Sequence, residues 1–448
     1  MVTIKDLLTY LTNLISGTFP FALLMLCGIY LTLKSGFFQI RAFNKSVTLV
    51  KKAFSSPKSQ EGINSYQAAC TALSSTVGTG NIAGVASAIS IGGAGAVFWM
   101  LISALFGMCI KGIEIILAIK YRECEKTGYI GGPMYYIKNG LPKLFKPLSY
   151  IFSLAALPAV LCSGNITQTN AAVSSLNLNF TGKLIFGIIF TALTFCVLIG
   201  GIKRIGLITE KIIPIMSVLY VILSLSIIIL NIDFLPQAFK MIIVGAFKPE
   251  AVTGGAVGSA MTVMMTGASR GIFSNEAGLG TSAMAHSVAV DADPKTQGLY
   301  GLFEVFIDTI LLCTLTALTI LCSRVNINYG FNASSELVVD SLSAIYGNLS
   351  TPIIAAMLCL FSFSSIIGWA VYGKISTRFL FGAKGEGIFT IIYPFACIFG
   401  AVTSSSFAWD LSAFFNGIML IINLPVLILL SKVAIKYMKG NKNAKKTN

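Results

Sequence analysis

Residues 74–81 are Ser-Ser-Thr-Val-Gly-Thr-Gly-Asn, and residues 266–278 are Thr-Gly-Ala-Ser-Arg-Gly-Ile-Phe-Ser-Asn-Glu-Ala-Gly. Both runs place glycines and polar side chains in the middle of a long apolar segment. Glycine costs about 1 kcal/mol relative to alanine inside a helix. Unpaired backbone in lipid is costlier still, unless it lines a cavity or binds a ligand. The two runs therefore predict two membrane helices that are broken at mid-depth.

The composition of the chain is that of a membrane protein. Of its 448 residues, 55% are apolar and only 11% are charged, and its mean hydropathy is +0.82. Because about 20 apolar residues cross a bilayer, the apolar runs predict about eleven spans. They lie near residues 7–33, 65–90, 94–121, 148–176, 184–202, 207–231, 254–289, 299–322, 350–373, 387–408 and 411–431.

The basic residues predict the orientation. When the spans are threaded alternately through a bilayer, most of the 32 lysines and arginines fall on one side, which the positive-inside rule identifies as the cytoplasm. The chain is thus expected in the cell membrane, with its N-terminus outside and its C-terminus in the cytoplasm. Topology accounts for the net charge of +15, so the expected partner of the basic tail is membrane lipid and no nucleic-acid partner is expected.

The two broken segments occupy corresponding places in the predicted topology. After the first span is set aside, each begins a group of five spans, and an odd number of spans inverts the second group relative to the first. The predicted fold is an all-α integral membrane protein with a five-plus-five inverted repeat and one extra N-terminal helix. The predicted units are 1–64 (extra helix and basic cytoplasmic linker), 65–231 (first repeat), 232–253 (extracellular connector), 254–431 (second repeat) and 432–448 (basic tail).

At a helix break, backbone N–H and C=O groups are left without helical partners. The N–H groups at the start of one half favour an anion, and the carbonyl groups at the end of the other half favour a cation. Backbone at residues 79–81 could therefore hold a carboxylate. The candidate Na⁺ ligands are the carbonyls near Ser74, Thr76 and Val77 and the side-chain oxygen of Asn81.

Three motifs stand out along the chain: Thr-Val-Gly-Thr-Gly-Asn-Ile-Ala-Gly-Val-Ala at 76–86, Gly-Gly-Pro-Met-Tyr-Tyr at 131–136 and Ser-Asn-Glu-Ala-Gly-Leu-Gly at 274–280. They resemble those of the alanine or glycine:cation symporters, within the amino acid-polyamine-organocation superfamily. The resemblance runs from about residue 60 to the last span. The Val-Gly-x-Gly-Asn core also looks like the neurotransmitter:sodium symporters, which indicates the shared inverted-repeat fold.

The resemblance implies Na⁺-coupled uptake of alanine or glycine by alternating access. Under it, Thr79 and Gly80 would meet the substrate carboxylate, Gln168 and Asn275 would hydrogen-bond the amino acid, and Phe273 and Trp369 would close over the side chain as gates. It also implies a sodium site in which Ser364 and Ser365 join carbonyls near Ser74 and Val77. The alternative for the serine pair is a hydrogen bond to its own helix.

Charged residues at membrane depth need partners. Glu304 and Asp308, four residues apart, are expected on one helix face, where a cation, a proton or Arg270 would relieve their repulsion. Cation coupling and interhelix pairing both remain open for them. Arg270 and Glu276 are candidates for a gate or for a clamp on the substrate carboxylate.

Two further charged features have structural interpretations. Lys111 and Glu114 can pair on one face of a helix, and His286, the single histidine, is expected at the membrane interface. One histidine cannot form a metal cluster, and the chain has no His-Glu-x-x-His run, so no cofactor is expected and an enzyme is disfavoured. An H⁺-coupled symporter, a channel and an amino-acid sensor remain alternatives, and no obligate protein partner is implied.

Overall fold

The computed structural model describes Ile15 and residues 18–54, 62–125, 128–176, 178–255, 257–330 and 335–440. Apart from one short hairpin, the regular elements in these ranges are helices. The hairpin pairs β1 (Glu123–Glu125) with β2 (Gly128–Ile130) in antiparallel register. The all-helical class is therefore confirmed for the described part of the chain.

The first two helices form a sharply bent pair. They are α1 (Thr18–Ser35) and α2 (Phe38–Phe54), and the bend between them is 78°. The segment of α2 was predicted only as a basic linker, but it buries Phe38, Ala42 and Val50 at intervals that fall on one helix face. Its exposed face carries Lys45, Lys51 and Lys52. This distribution is typical of a helix that lies in the membrane interface. The predicted part of the first span before Thr18 lies, except for Ile15, outside the described residues.

The next group of helices begins with the first broken segment. Its elements are α3 (Ser65–Thr76), a 3₁₀ turn (Thr79–Asn81), α4 (Ala83–Gly92), α5 (Gly95–Lys120), α6 (Pro133–Gly140), α7 (Lys146–Leu161), a π turn (Cys162–Ile166), α8 (Thr167–Ser174), α9 (Phe180–Leu198) and α10 (Gly201–Leu230). The connector that follows contains α11 (Leu235–Phe247) and α12 (Glu250–Thr253).

The last group begins with the second broken segment. Its elements are α13 (Ala260–Asn275), α14 (Thr281–Ser287), α15 (Pro294–Val305), a π turn (Phe306–Cys313), α16 (Thr314–Cys322), α17 (Glu336–Tyr346), α18 (Ser350–Ile392), α19 (Ala396–Val402) and α20 (Ser405–Met438).

The number of long apolar helices is smaller than the number of predicted spans. Seven helical stretches of the described residues could cross a membrane, or eight if the bent pair is included. Two of the predicted spans are the broken segments, whose halves are individually too short to qualify. Two more, 350–373 and 387–408, share one continuous stretch because α18 runs past the predicted end. It is interrupted only at Gly382, whose φ of 68° lies outside the helical region.

Helix α5 lies at the centre of the bundle. It packs against both halves of the second broken segment, and also against α1, α15 and α20. Close packing depends on small residues at the contacts. At Gly267 of α13, an added Cβ would lie 2.8 Å from the carbonyl carbon of Ala96 and would overlap its oxygen. The second broken segment is thus held directly against the backbone of α5.

We expect Gly267→Ala to lower the thermal stability of the purified protein by about 1–3 kcal/mol, as overpacking does elsewhere. The matched control is Gly84→Ala, because a Cβ at that buried helical position meets nothing within 4 Å. That variant should be neutral or more stable by up to about 1 kcal/mol. Equal stability of the two variants in thermal unfolding would contradict the close approach.

Candidate functional site

The first break lies where the sequence predicts it. Helix α3 ends at Thr76, Val77 is extended (φ −75°, ψ 92°) and the chain makes a 3₁₀ turn before α4. The Asn81 side chain closes this turn, since its Oδ1 accepts a hydrogen bond of 2.8 Å from the Gly78 N–H. The Asn81 carbonyl accepts one of 2.7 Å from the Thr316 hydroxyl. Asn81 therefore stabilises the break with both its side chain and its backbone.

Several backbone groups at the first break remain free. Within the described ranges, the Gly80 N–H has no acceptor, and the carbonyls of Ser74, Thr76 and Val77 receive no hydrogen bond. The hydroxyl of Ser74 donates instead to the Thr71 carbonyl at 2.7 Å. The hydroxyl of Thr76 donates to its own helix as well. The open groups at the break thus include the Gly80 amide and three carbonyls, and the two hydroxyls are directed back into α3.

Two further predicted residues flank this break. Gln168 Oε1 accepts hydrogen bonds from the Thr79 hydroxyl at 2.9 Å and from the Thr79 N–H at 3.3 Å. Ser365 Oγ is fully buried without a hydrogen-bond partner in the described structure, and a Cβ at Gly78 would overlap it. The neighbouring Ser364 hydroxyl behaves differently, because it donates to the Phe361 carbonyl at 2.9 Å.

The second break lies later in the chain than its polar sequence indicates. Residues 266–274 are helical, and α13 ends only at Asn275. The break itself contains three residues with positive φ: Glu276 at 56°, Gly278 at 90° and Gly280 at 76°. The Asn275 amide is engaged on both sides, since Nδ2 donates to Thr309 Oγ1 at 3.2 Å and Oδ1 accepts from the Ala277 N–H at 3.0 Å.

The Asp308 carboxylate accepts hydrogen bonds from residues at both breaks. Its Oδ1 accepts a hydrogen bond of 2.7 Å from Asn81 Nδ2. Its Oδ2 accepts hydrogen bonds from the hydroxyls of Ser274 at 2.8 Å and Thr309 at 2.7 Å. The carboxylate is fully buried. Ser274 and Thr309 were not predicted as site residues, and their signal was weak because buried hydroxyls are common in membrane helices.

Glu304 does not share partners with Asp308. One Glu304 oxygen lies 3.6 Å from Lys111 Nζ, and the other contacts His286 Nε2. A π turn, Phe306–Cys313, begins between the two residues. Arg270 was one candidate for relieving the repulsion between Glu304 and Asp308. It does not do so, because it lies at the cavity beside Trp409.

His286 is fully buried and lies between Glu304 and Gln297, whose Nε2 is 2.6 Å from His286 Nδ1. His286 is thus enclosed by protein, and its predicted depth at the membrane interface stays a prediction. The sequence offered no hint of this placement because both partners are on another helix, α15.

Arg270 and Phe273 line a cavity of about 310 Å³ between α4, α13 and the start of α20. The Arg270 guanidinium carbon is 5.1 Å from the centre of the Trp409 ring, and the Phe273 and Trp409 ring centres are 4.6 Å apart. Arg270 therefore does not pair with Glu276, which instead accepts a hydrogen bond from the Thr281 hydroxyl. The proposed gate or clamp made by Arg270 and Glu276 is not formed in this structure.

The two predicted aromatic gates contact different ends of the first break. A Cβ at Gly80 would be 3.5 Å from the Phe273 ring, so Phe273 covers Gly80 at the inner end of the cavity. Trp369 is buried and donates from Nε1 to the Ser75 carbonyl at 3.3 Å. The structure thus places both rings beside the break, and their gating role stays a prediction.

The described residues form neither a metal cluster nor a hydrolase nucleophile turn. Within the described ranges, no group of three or more His, Cys, Asp or Glu side chains is placed to hold a metal ion. Residues 267–271 have the Gly-x-Ser-x-Gly spacing of a hydrolase nucleophile, but that motif requires a sharp turn between a strand and a helix. Here the five residues are regular turns of α13.

Sequence comparison places this geometry among transporters. The sequence profile of the Sodium:alanine symporter family matches residues 1–448. A sodium/alanine symporter of Methanococcus maripaludis is 37% identical over 443 residues, which cover 97% of this chain and 96% of that protein. A probable sodium/glutamine symporter of Bacillus subtilis is 35% identical over 426 residues, which cover 95% of this chain and 88% of that protein.

Structural comparison supports the fold. A manganese transporter of Eremococcus coleocola aligns with a TM-score of 0.52 at 15% identity, over 84% of this chain and 80% of that protein. At this identity the likeness concerns the arrangement of helices alone. Together with the sequence matches, it identifies a multi-pass membrane transporter.

The contact between Gly78 and Ser365 gives a prediction about stability. Gly78→Ala should lower the thermal stability by about 1–3 kcal/mol, because the new methyl overlaps Ser365 Oγ. Removing that oxygen in Gly78→Ala/Ser365→Ala should recover at least half of the loss, since the added Cβ is 3.5 Å from Ser365 Cβ. Strictly additive effects in thermal unfolding would show that the two residues do not touch.

Proposed function

Since the chain belongs to the sodium:alanine symporter family, we propose that it carries a small neutral amino acid, alanine or glycine, into the cell together with Na⁺. Family membership establishes the class of sodium-coupled amino-acid transport. The proposal of a particular substrate and of the residues that bind it is more specific than the family. It is based on the free backbone groups of the first break.

Unpaired backbone groups on both sides of this break support the proposal. The free N–H of Gly80 is at the start of the α4 half, where the helix dipole favours a carboxylate. The free carbonyls of Ser74, Thr76 and Val77 are at the end of α3, where it favours a cation. We propose that the substrate carboxylate binds at Gly80 with Thr79, and that Na⁺ binds at the carbonyls.

The proposed cation ligands are neutral oxygens, as a hard monovalent cation prefers. Ser365 supplies the hydroxyl, because its oxygen is buried beside Gly78 without a partner in the described structure. Ser364 is the weaker candidate, since its hydroxyl is satisfied by its own helix. The Asn81 oxygen already accepts the Gly78 N–H, which leaves it one lone pair for the cation.

The surroundings of Gly80 favour a small substrate. Phe273 lies close over Gly80, and Gln168 is hydrogen-bonded to Thr79 on the adjacent side. Phe273 and Trp369 would enclose a hydrogen or a methyl group as the substrate side chain. Asn275 would contact the substrate only after exchanging its present partners. The relatives include proteins named for alanine and for glutamine, so substrate size is the property to test.

Alternating access would use the two groups of helices as inverted repeats, 65–231 and 254–431, with the connector 232–253 between them. In the proposed orientation, α4 and α13 are the extracellular halves of the broken segments. The cavity lined by Arg270 and Phe273 would then be the outer vestibule, and Phe273 its inner gate.

The second candidate is an H⁺-coupled symporter. It is favoured by the buried acidic residues of α15 and the following π turn, Glu304 and Asp308, and by the contact of Glu304 with His286. A carboxylate that exchanges a proton could couple without a sodium site. The choice between the two ions therefore needs a transport measurement.

We expect proteoliposomes that contain the wild-type protein to accumulate labelled alanine against its gradient when Na⁺ is high outside. An H⁺ gradient without Na⁺ should give no accumulation, and glutamine should compete poorly. Accumulation driven by H⁺ alone would move the coupling site to Glu304 and Asp308. Substrate binding without accumulation under either gradient would indicate a sensor.

The two neighbouring serines provide a matched pair of variants. Ser365→Ala should raise the Na⁺ concentration for half-maximal alanine uptake about tenfold, the effect of losing one hydrogen-bond-sized interaction of about 1.4 kcal/mol. Ser364→Ala should change it less than twofold, because it loses only a bond within its helix. The measurement is uptake as a function of Na⁺ in proteoliposomes, and the reverse order would place the sodium site on the Ser364 side.

A further inference from the structure

Two charged residues of α5 have no part in the proposed sodium and substrate sites. Lys111 and Glu114 are one helical turn apart and both are 0% exposed. A buried charge in a membrane protein is stabilised only by specific partners. The two residues do not use each other as hydrogen-bond partners. Each instead approaches a different side of the second break.

Lys111 lies on the carbonyl side of that break. Its Nζ donates a hydrogen bond of 2.6 Å to the carbonyl of Asn275, the last residue of α13. The carbonyl end of a helix carries partial negative charge and attracts cations. Glu304, at 3.6 Å, supplies a full counter-charge. The ammonium therefore occupies the place that a bound cation would take at the end of α13.

Glu114 lies on the amide side of the same break. Its carboxylate lies near the backbone N–H groups of Gly278 and Gly280, but its Oε2 is buried without a hydrogen-bond partner in the described structure. Its Oε1 accepts a hydrogen bond of 2.6 Å from Asn423 Nδ2, which also donates to the Gly278 carbonyl at 2.8 Å. Gly278 and Gly280 have positive φ, a conformation in which glycine avoids the strain that other residues would suffer. Asn423 thus holds the carboxylate beside the glycine turn of the second break.

From these contacts we infer that Lys111 and Glu114 are permanent ligands of the second break, a tethered ammonium and a tethered carboxylate that replace a bound cation and a bound acid there. The transported Na⁺ and amino acid then have only the first break available. That break is contacted directly by the neutral side chains Asn81, Gln168 and Ser365, and the Asp308 carboxylate accepts a hydrogen bond from the Asn81 amide. Lys111 and Glu114 are positioning residues, since they hold the second broken segment in shape. The occupancy of the second break does not depend on the proposed function, although the location of the transported ions does.

The first test is chemical rescue of Lys111→Ala, which removes the ammonium and leaves space for a small amine. Thermal unfolding of the purified full-length protein should show a loss of stability. Added n-propylammonium should reverse it in a saturable way, and n-butanol, which has a similar shape and no charge, should not. Wild type should respond to neither additive. Ile115→Ala is the matched control, because it opens an apolar space at the next turn of the same buried face.

Measuring transport distinguishes a role of Lys111 in positioning the second break from an effect on stability alone. Lys111→Ala should reduce Na⁺-driven alanine uptake by about tenfold or more, as expected when one partner of a buried charge pair is removed, and n-propylammonium should restore it. Equal rescue by the alcohol, or wild-type stability and uptake without an additive, would overturn the inference. A failure of wild type to transport alanine would refute the proposed substrate and leave the stability test decisive.

A second pair of variants covers the case in which Lys111→Ala does not fold. Lys111→Arg keeps the charge and Lys111→Gln keeps only a hydrogen-bond donor, so the arginine variant should be the more stable and the more active of the two. A glutamine variant equal to the arginine variant would overturn the role of the charge. For the other side of the break, formate but not methanol should stabilise Glu114→Ala, and no effect of formate would overturn the tethered carboxylate.

Discussion

The structure depends on how the backbone of two interrupted helices is satisfied away from water. In hydrocarbon, each free N–H or C=O group is costly unless protein or ligand pairs with it. At the first break, Asn81 closes the turn through Gly78, yet the Gly80 amide and neighbouring carbonyls remain open. At the second break, Lys111 of α5 donates to the carbonyl end of α13, and Glu114 of α5 is linked to Gly278 through Asn423. The same constraint is therefore met by leaving space at one break and by filling it at the other.

This difference explains why so many buried polar contacts converge on α5, α15 and the breaks. Asp308 connects Asn81 to Ser274, and so links the first break to the end of α13. Lys111 connects the same end of α13 to Glu304. A movement of either broken segment must therefore be accompanied by rearrangement of hydrogen bonds at the other. Such shared partners give a physical basis for coupling between two ligands.

The sequence predicts the helical membrane class and the two breaks because both follow from local composition. Gly78 and Gly80 within a long apolar segment were enough to predict the first break. The second was predicted too early, since the polar residues from Thr266 to Ser274 form a helix whose small side chains allow close packing against α5. The partners of His286 and Glu114 could not be predicted, because they lie on other helices and no local pattern identifies them. The amphipathic α2 was detectable from its spacing, but its lysines were interpreted only as topological signals.

The π turn from Phe306 to Cys313 contains Asp308, whose carboxylate contacts Asn81 and Ser274 of the two breaks. Its wider hydrogen bonding accommodates one residue more than an α-helical turn. In evolutionary terms, the deletion of a single residue here would convert the turn to α-helix and rotate the preceding residues relative to α16 by about 100°. The contact between Asp308 and Asn81 would be lost in one step, without a change in hydrophobicity or charge. Chain length in this segment is therefore as strong a constraint on the centre of the protein as the identity of any side chain.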